Sequence, residues 1–164
     1  MAMSTARPPE DEIENTVKRY ANRLFKLCFT MLCNHCDAED AVSNTFLKYI
    51  TNSPVFDSEE HKKAWLIRVA VNICKDMHRF YARHTTVQLE DAVFFVKDEP
   101  SKEILEDVLR LPDKYKTVIH LYYVEGYQTK EIAKILSISP AAVRKRLQYA
   151  RDLLKLEYRK EDIR

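Results

Sequence analysis

The chain reads as an all-α protein made of two small helical domains joined by an acidic linker. Three observations lead there. Its 164 residues include one glycine and are 46% hydrophobic. Apolar side chains recur at three- and four-residue spacing, while strand-like alternation is scarce. The charge also changes sign along the chain: residues 61–84 hold six Lys or Arg against Asp76, residues 88–107 hold seven acids against Lys97 and Lys102, and residues 128–151 hold six Lys or Arg against Glu131. Two basic helical blocks thus flank an acidic stretch in a chain whose net charge is only +2.

Residues 1–12, opening MAMSTARPPE, are expected to form a flexible leader, and residues 13–84 the first domain. Val17, Tyr20, Leu24, Leu27, Cys28 and Met31 make one helical stripe. A second helix is expected to begin at Asp37 and run through Ile50, with Ala41, Val42, Thr45 and Phe46 or Leu47 inward; Asn52-Ser53-Pro54 ends it. A third starts near Glu60, with Trp65, Leu66, Val69, Ile73 and Met77 on its apolar side. Its other side is basic, with Trp65, Phe80 and Tyr81 interleaved among the cations. Rings in such a setting can stack on bases when strands separate, although a Trp at helical spacing is more often a core residue.

Residues 85–100 form the expected acidic linker, and residues 101–164 the second domain. Val93, Phe94, Phe95 and Val96 in the linker can pack locally or run along a partner. Ser101 is placed as the cap of a helix carrying Ile104, Leu105, Val108 and Leu109. Leu111-Pro112 breaks the chain before a helix from Lys114 to Glu125, which Gly126 closes as a left-handed cap.

Residues 129–151, TKEIAKILSISPAAVRKRLQYAR, spell two short helices joined by a tight turn, the pattern of a helix-turn-helix. Ile132, Ala133 and Leu136 form the first apolar stripe, Ala133 being small where the helices approach. Ile138 points inward. Ser139 can cap the second helix, and Pro140 sits at its first position, where a missing N–H costs nothing. Val143, Leu147, Ala150 and Leu154 form the buried stripe, leaving Ala141, Arg144, Lys145, Gln148 and Arg151 outside as phosphate- and base-contacting types. A solvated amphipathic helix would also carry a basic face, but it would need neither the cap nor the small residue nor the short turn. Ser137 stands where such turns often carry Gly, at a cost of about 1 kcal/mol.

Other functions find little support. No stretch approaches the roughly 18 apolar residues of a membrane span, and the opening lacks a charged-then-apolar signal pattern, so a cytoplasmic protein without membrane insertion is expected. Cys28, Cys33, Cys36 and Cys74 suit a reducing compartment. Cys33-Asn34-His35-Cys36 offers zinc-ligand types, but a single CxxC lacks the second pair of a finger, so loop cysteines with no metal or cofactor are expected. His61, His78, His84 and His120 have no paired nucleophile or carboxylate constellation, and one glycine cannot make a phosphate loop; the chain is not expected to be an enzyme.

These landmarks resemble the bacterial RNA polymerase sigma factors of the sigma-70 family, specifically the two-domain extracytoplasmic function (ECF) group. Three motifs carry the resemblance: Asp37-Ala38-Glu39-Asp40-Ala41-Val42 followed by Thr45-Phe46-Leu47; Trp65-Leu66-Ile67-Arg68-Val69-Ala70-Val71-Asn72 followed by Asp76 and Arg79; and Leu111-Pro112 leading through Tyr122-Tyr123-Val124-Glu125-Gly126-Tyr127 into Glu131-Ile132-Ala133. It covers nearly all the chain after residue 12 and implies a region 2-like domain at 13–84 and a region 4-like domain at 101–164. It implies core-polymerase docking through Asp37, Glu39, Asp40, Asn44, Phe46 and Leu47. It also implies recognition and melting of the −10 element through Lys62, Lys63, Trp65, Arg68, Asn72, Lys75 and Arg79. Contact with the −35 element would come from Arg144, Lys145 and Gln148, with Ser139, Ala141 and Arg151 nearer phosphates. The loop from Asn52 to His61 resembles one that captures a flipped nontemplate base, and the acidic linker resembles a segment running toward the RNA exit path. Ser43-Asn44 stand where the family commonly has Gln-Glu, and Val71 where a basic residue is frequent.

The resemblance implies core RNA polymerase, duplex promoter DNA, the melted nontemplate strand and an anti-sigma factor as partners. A stand-alone helix-turn-helix repressor or activator leaves the basic aromatic helix unexplained. A sigma-like protein-interaction module is the other alternative.

Overall fold

The computed structural model describes residues 6–81 and 102–154. The chain divides into two compact units, with the first stretch in one and the second in the other. The expected linker at 85–100, the Ser101 cap, and Arg83 and His84 lie outside the described residues. No strand occurs among the described residues.

The first unit packs three helices against one another: α1 (Glu10–Leu32), α2 (His35–Asn52) and α3 (Glu59–Tyr81). Helix α1 already includes residues 10–12, expected in the leader; Pro9 presets the turn into it, and the Pro9 carbonyl accepts from the Ile13 N–H at 3.0 Å. Its stripe of Tyr20, Leu24, Leu27, Cys28 and Met31 is buried, with Val17 at the margin. Cys33 then turns left-handed at φ 52° and ends the helix. Helix α2 starts two residues before the expected Asp37, because Asn34 supplies the cap: its Oδ1 accepts from the Asp37 N–H at 2.9 Å. Cys36 therefore lies in the first turn of a helix rather than in a loop.

Helix α3 buries more than its predicted stripe. Leu66 and Ile73 are in the core as expected, but Ile67, Ala70, Val71 and Cys74 join them, and Trp65, Val69 and Met77 are half-buried. A helix touching two neighbours hides two adjacent faces, and a single-stripe reading finds only one. Near the end of α3, His78 Nε2 lies 2.6 Å from the Met31 carbonyl. A carbonyl only accepts, so this nitrogen carries the proton and ties α3 to the end of α1.

The second unit holds α4 (Lys102–Leu109), α5 (Asp113–Ile119), α6 (Thr129–Leu136) and α7 (Pro140–Leu154), with α4, α5 and α6 each packing on α7. Instead of a regular helix to Glu125, α5 widens into a π-turn over His120–Val124, closed by Glu125 N–H to the His120 carbonyl at 3.1 Å. Gly126 follows at φ 74°, as its role in a cap requires. Glu131 reaches back to accept from the Gln128 N–H at 2.8 Å and fixes the start of α6. Ile132, Ala133 and Ile135 fill the interface, with Leu136 half-buried. Ser137 adopts φ 56°, Ile138 is half-buried and donates its N–H to the Ala133 carbonyl at 3.0 Å, and the Ser139 hydroxyl accepts from the Ala142 N–H at 3.1 Å. The turn is thus made with serine where glycine is usual, and α7 starts on its predicted cap.

Candidate nucleic-acid interface

Arg68, Asn72, Lys75 and Arg79 fall at i, i+4, i+7 and i+11 of α3, so one line of the helix carries them all. Arg68, Asn72 and Arg79 are exposed, and Lys63 and Lys75 are half-buried. Val71, beside Asn72, is buried, so its departure from a basic residue is a matter of core packing. Trp65 borders this face. Its ring meets Phe56 edge-on at 5.7 Å and Tyr49 at 6.5 Å, and Phe56 in turn meets His61 at 5.3 Å. This aromatic cluster braces the 53–58 loop against the start of α3.

Lys62 departs from the expected outward face. Its side chain is only 8% exposed, its ammonium lies 3.3 Å from Glu12, and it sits over the Tyr49 ring at 5.1 Å. Glu12 also accepts from the Tyr49 hydroxyl at 2.9 Å. Burial alone would lower the Lys62 pKa, but hydrogen bonds to Tyr49 and Glu12 and attraction to their charge outweigh it and raise the group above 10.5. In this arrangement the Lys62 ammonium is turned inward to Glu12 and Tyr49 rather than to the outer face of α3. Nearby, the Tyr20 hydroxyl donates to Glu59 at 2.8 Å, with Arg19 at 3.5 Å from the same oxygen. Burial, then the Glu59 hydrogen bond and charge, push Tyr20 up to about 12.

On α2 the acceptors face outward: Glu39, Asp40 and Asn44 are exposed, Asp37 is half-buried, and Leu47 is 59% exposed. Phe46 belongs instead to the core, at 7%. Of the Phe46-or-Leu47 alternatives, Phe46 packs inward and leaves Leu47 to any partner.

On α7, Ser139, Ala141, Arg144, Lys145 and Gln148 are exposed over a floor of Val143, Leu147 and Ala150. Arg151 turns inward and is 9% exposed. Its Nε donates to the Tyr123 hydroxyl at 3.1 Å, and its guanidinium lies 5.5 Å from the Tyr122 ring and 5.8 Å from the Tyr123 ring. It clamps the π-turn onto α7. Local spacing could not reveal this, since Tyr123 lies 28 positions from Arg151.

Among the described residues, no three His, Cys, Asp or Glu side chains gather to hold a metal ion. No described helix is long and apolar enough to cross a membrane.

The chain matches the family described as Sigma-70 region 2 over residues 16–84 and Sigma-70, region 4 over residues 101–154. A basic-faced helical unit followed by a helix-turn-helix unit, each matching its own region, defines a sigma-70 transcription initiation factor rather than an enzyme. Among curated relatives, the ECF RNA polymerase sigma factor SigW of Bacillus subtilis (strain 168) is 31% identical over 171 residues, spanning 92% of this chain and 90% of its own. SigM of the same organism is 28% identical over 155 residues, spanning 89% and 94%. The chain belongs to the ECF RNA polymerase sigma factors.

Solved structures share the fold. The sigma factor RpoE of Bartonella quintana, in complex with the anti-sigma factor NepR, aligns with a TM-score of 0.70 at 17% identity, covering 88% of this chain and 94% of that one. CnrH, in complex with the cytosolic domain of CnrY, aligns with a TM-score of 0.67 at 26% identity, covering 90% and 87%.

Proposed function

We propose that this sigma factor docks on core RNA polymerase through the outward side of α2, melts the −10 element with α3, and holds the −35 element with α7. The assignment covers residues 13–84 for the first role and the melting, 101–164 for the −35 element, and 85–100 as the connection between them. The observation that carries it is the pair of outward faces, Arg68-Asn72-Lys75-Arg79 on α3 and Arg144-Lys145-Gln148 on α7, each laid over a packed apolar floor. A repressor or activator would use only the second.

Docking rests on Glu39, Asp40, Asn44 and Leu47, with Asp37 at the helix start, where its charge also favours the helix N-terminus. The candidate −10 contacts are Lys63, Trp65, Arg68, Asn72, Lys75 and Arg79. Extruding a base costs a few kcal/mol, so a surface that holds it turns binding energy into strand separation, with no need of ATP or metal. The candidate −35 contacts are Ser139, Ala141, Arg144, Lys145 and Gln148. Control by an anti-sigma factor in the cytoplasm is part of the proposal, supported by CnrH, 26% identical and solved with the cytosolic domain of CnrY.

Run-off transcription with sigma-free core polymerase and genomic fragments tests the reading. Promoter-specific transcripts are expected. In Arg144→Ala/Lys145→Ala, promoter affinity should fall about tenfold or more at moderate salt, with a shallower salt dependence, because two cation contacts are gone. Unchanged affinity would remove α7 from the −35 role, and tight DNA binding without transcripts would favour the repressor or activator.

A further inference from the structure

On α7, Arg144, Gln148 and Arg151 stand at i, i+4 and i+7, so one line of the helix carries all three. The first two are exposed and the third is covered. What covers it is the π-turn: the Tyr122 and Tyr123 rings meet edge-on at 4.9 Å and lie 5.5 and 5.8 Å from the Arg151 guanidinium. The outward line that begins at Arg144 therefore passes Gln148 and ends on the side chain of Tyr123, which is 43% exposed.

The Tyr123 hydroxyl is set for one kind of bond. Its oxygen accepts from Arg151 Nε at 3.1 Å. A phenol that accepts one hydrogen bond still holds a proton to donate, and the guanidinium behind it polarises it into a stronger donor. No acceptor meets that proton among the described residues, so a partner has to bring one. The surrounding charge favours an anion. Arg151 stays protonated at any ordinary pH, and the carboxylate that closes the turn, Glu125, has a side chain only 4% exposed and 3.9 Å from His120. Asp152 is exposed, but it stands about 100° around the helix from Arg151.

We infer that Tyr123 donates its O–H to a backbone phosphate of the DNA beside the −35 element, with Arg151 as the positioning residue behind it. The inference rests on the reading of α7 as the −35 helix. It moves the phosphate contact expected of Arg151 onto a neutral residue 28 positions earlier in the chain.

The test uses holoenzyme made with the full chain, with Tyr123→Phe and with Arg151→Lys. Each is titrated onto promoter duplexes in which one phosphate at a time around the −35 element is a neutral methylphosphonate. Tyr123→Phe keeps the ring and loses the donor, so affinity for the unmodified duplex should fall about fivefold or more, as loss of a hydrogen bond to a charged group implies. The fall should be alike for every −35 sequence, because a phosphate contact carries no base information. The salt dependence should stay as it is, since a neutral donor displaces no counterion. At one phosphate, neutralisation should weaken the full chain about fivefold more than it weakens Tyr123→Phe, because the two changes remove the same bond. Arg151→Lys keeps the charge but gives up the flat group that holds the phenol, and it should reproduce both the loss and the missing phosphate effect. If every methylphosphonate weakens the full chain and Tyr123→Phe alike, the inference is overturned, and any overall loss in the variant is general damage to the unit. Full affinity in Arg151→Lys would overturn the positioning role. If Arg144→Ala/Lys145→Ala binds the same duplexes as tightly as the full chain, the −35 reading falls and the inference with it; a loss there beside an unaffected Tyr123→Phe overturns the inference alone.

Discussion

Lys62 in the first unit and Arg151 in the second are both buried cations, and each is satisfied in a different way. In the first, Lys62 meets a carboxylate, Glu12, and a tyrosine that shares that carboxylate. In the second, Arg151 lies against two tyrosine rings and donates to one phenolic oxygen. The difference follows from the head groups. An ammonium is a strongly hydrated point charge and needs a counter-charge when water is removed, whereas a guanidinium is flat, weakly hydrated and at home on an aromatic face. The Lys62 cluster is therefore built from groups that titrate or lose a partner, and the Arg151 clamp around a cation that stays charged at any ordinary pH.

The sharpest way to break the comparison is to remove a partner on each side. Glu12→Ala leaves a mostly buried ammonium without its carboxylate; because Glu12 is 49% exposed and water can enter, the cost should be about 2 kcal/mol rather than the larger penalty of a sealed pair. Lys62→Met keeps the apolar stem and leaves only a half-exposed carboxylate, so it should cost less than about 1 kcal/mol. Trp65 is the only tryptophan and lies in the first unit, so urea unfolding followed by its fluorescence reads both variants. In the second unit, Tyr123→Phe keeps the ring over Arg151 and removes one hydrogen bond, at about 1 kcal/mol by thermal circular dichroism. Lys62→Met costing as much as Glu12→Ala would show that the pair, not the orphaned charge, carries the energy.

The same contrast predicts an alkaline limit for the first unit. Tyr20 is raised to about 12 and Lys62 above 10.5, so the folded state holds protons that the unfolded chain releases first. Their contribution is fully present below about pH 10, the unfolded value for a tyrosine, and is lost as pH rises through the folded values. The urea midpoint seen by Trp65 should fall between pH 10 and 12, and Tyr20→Phe should flatten part of that fall. The effect should be smaller than that of Glu12→Ala, since Glu59 and Arg19, which face Tyr20, are more than half exposed and screened. A midpoint constant to pH 12 would remove Tyr20 and Lys62 from the account.

The regular core was legible because local spacing writes it: Tyr20, Leu24, Leu27, Cys28 and Met31 on α1, and Val143, Leu147 and Ala150 on α7, are buried as their periodicity implies. What stayed hidden depends on distance or on one-residue shifts. Glu12 is 50 positions from Lys62, so nothing near Lys62 marks it as an inward cation. The π-turn differs from an α-helix by one residue in its bonding ring, and no residue type at 120–124 announces it. The exposed candidates Arg68, Asn72, Arg144, Lys145 and Gln148 were legible because each lies opposite an apolar stripe, which is the only information periodicity holds.

The smallest predicted effect separates the units by their left-handed residues. Ser137 is exposed at φ 56° in the helix-turn-helix, so Ser137→Gly removes backbone strain without removing a packed side chain. A glycine costs extra chain entropy in the unfolded state, which offsets part of the gain and leaves about 0.5 kcal/mol of stabilisation. Cys33, at φ 52° between α1 and α2, has the same backbone need but is buried, with its thiol 3.8 Å from the Thr30 carbonyl. Cys33→Gly should therefore destabilise by about 1 kcal/mol, because the lost burial exceeds the relieved strain. Thermal unfolding of the two variants reads opposite signs if burial decides the outcome at equal backbone geometry. The same sign in both would mean that strain outweighs packing at the α1–α2 junction.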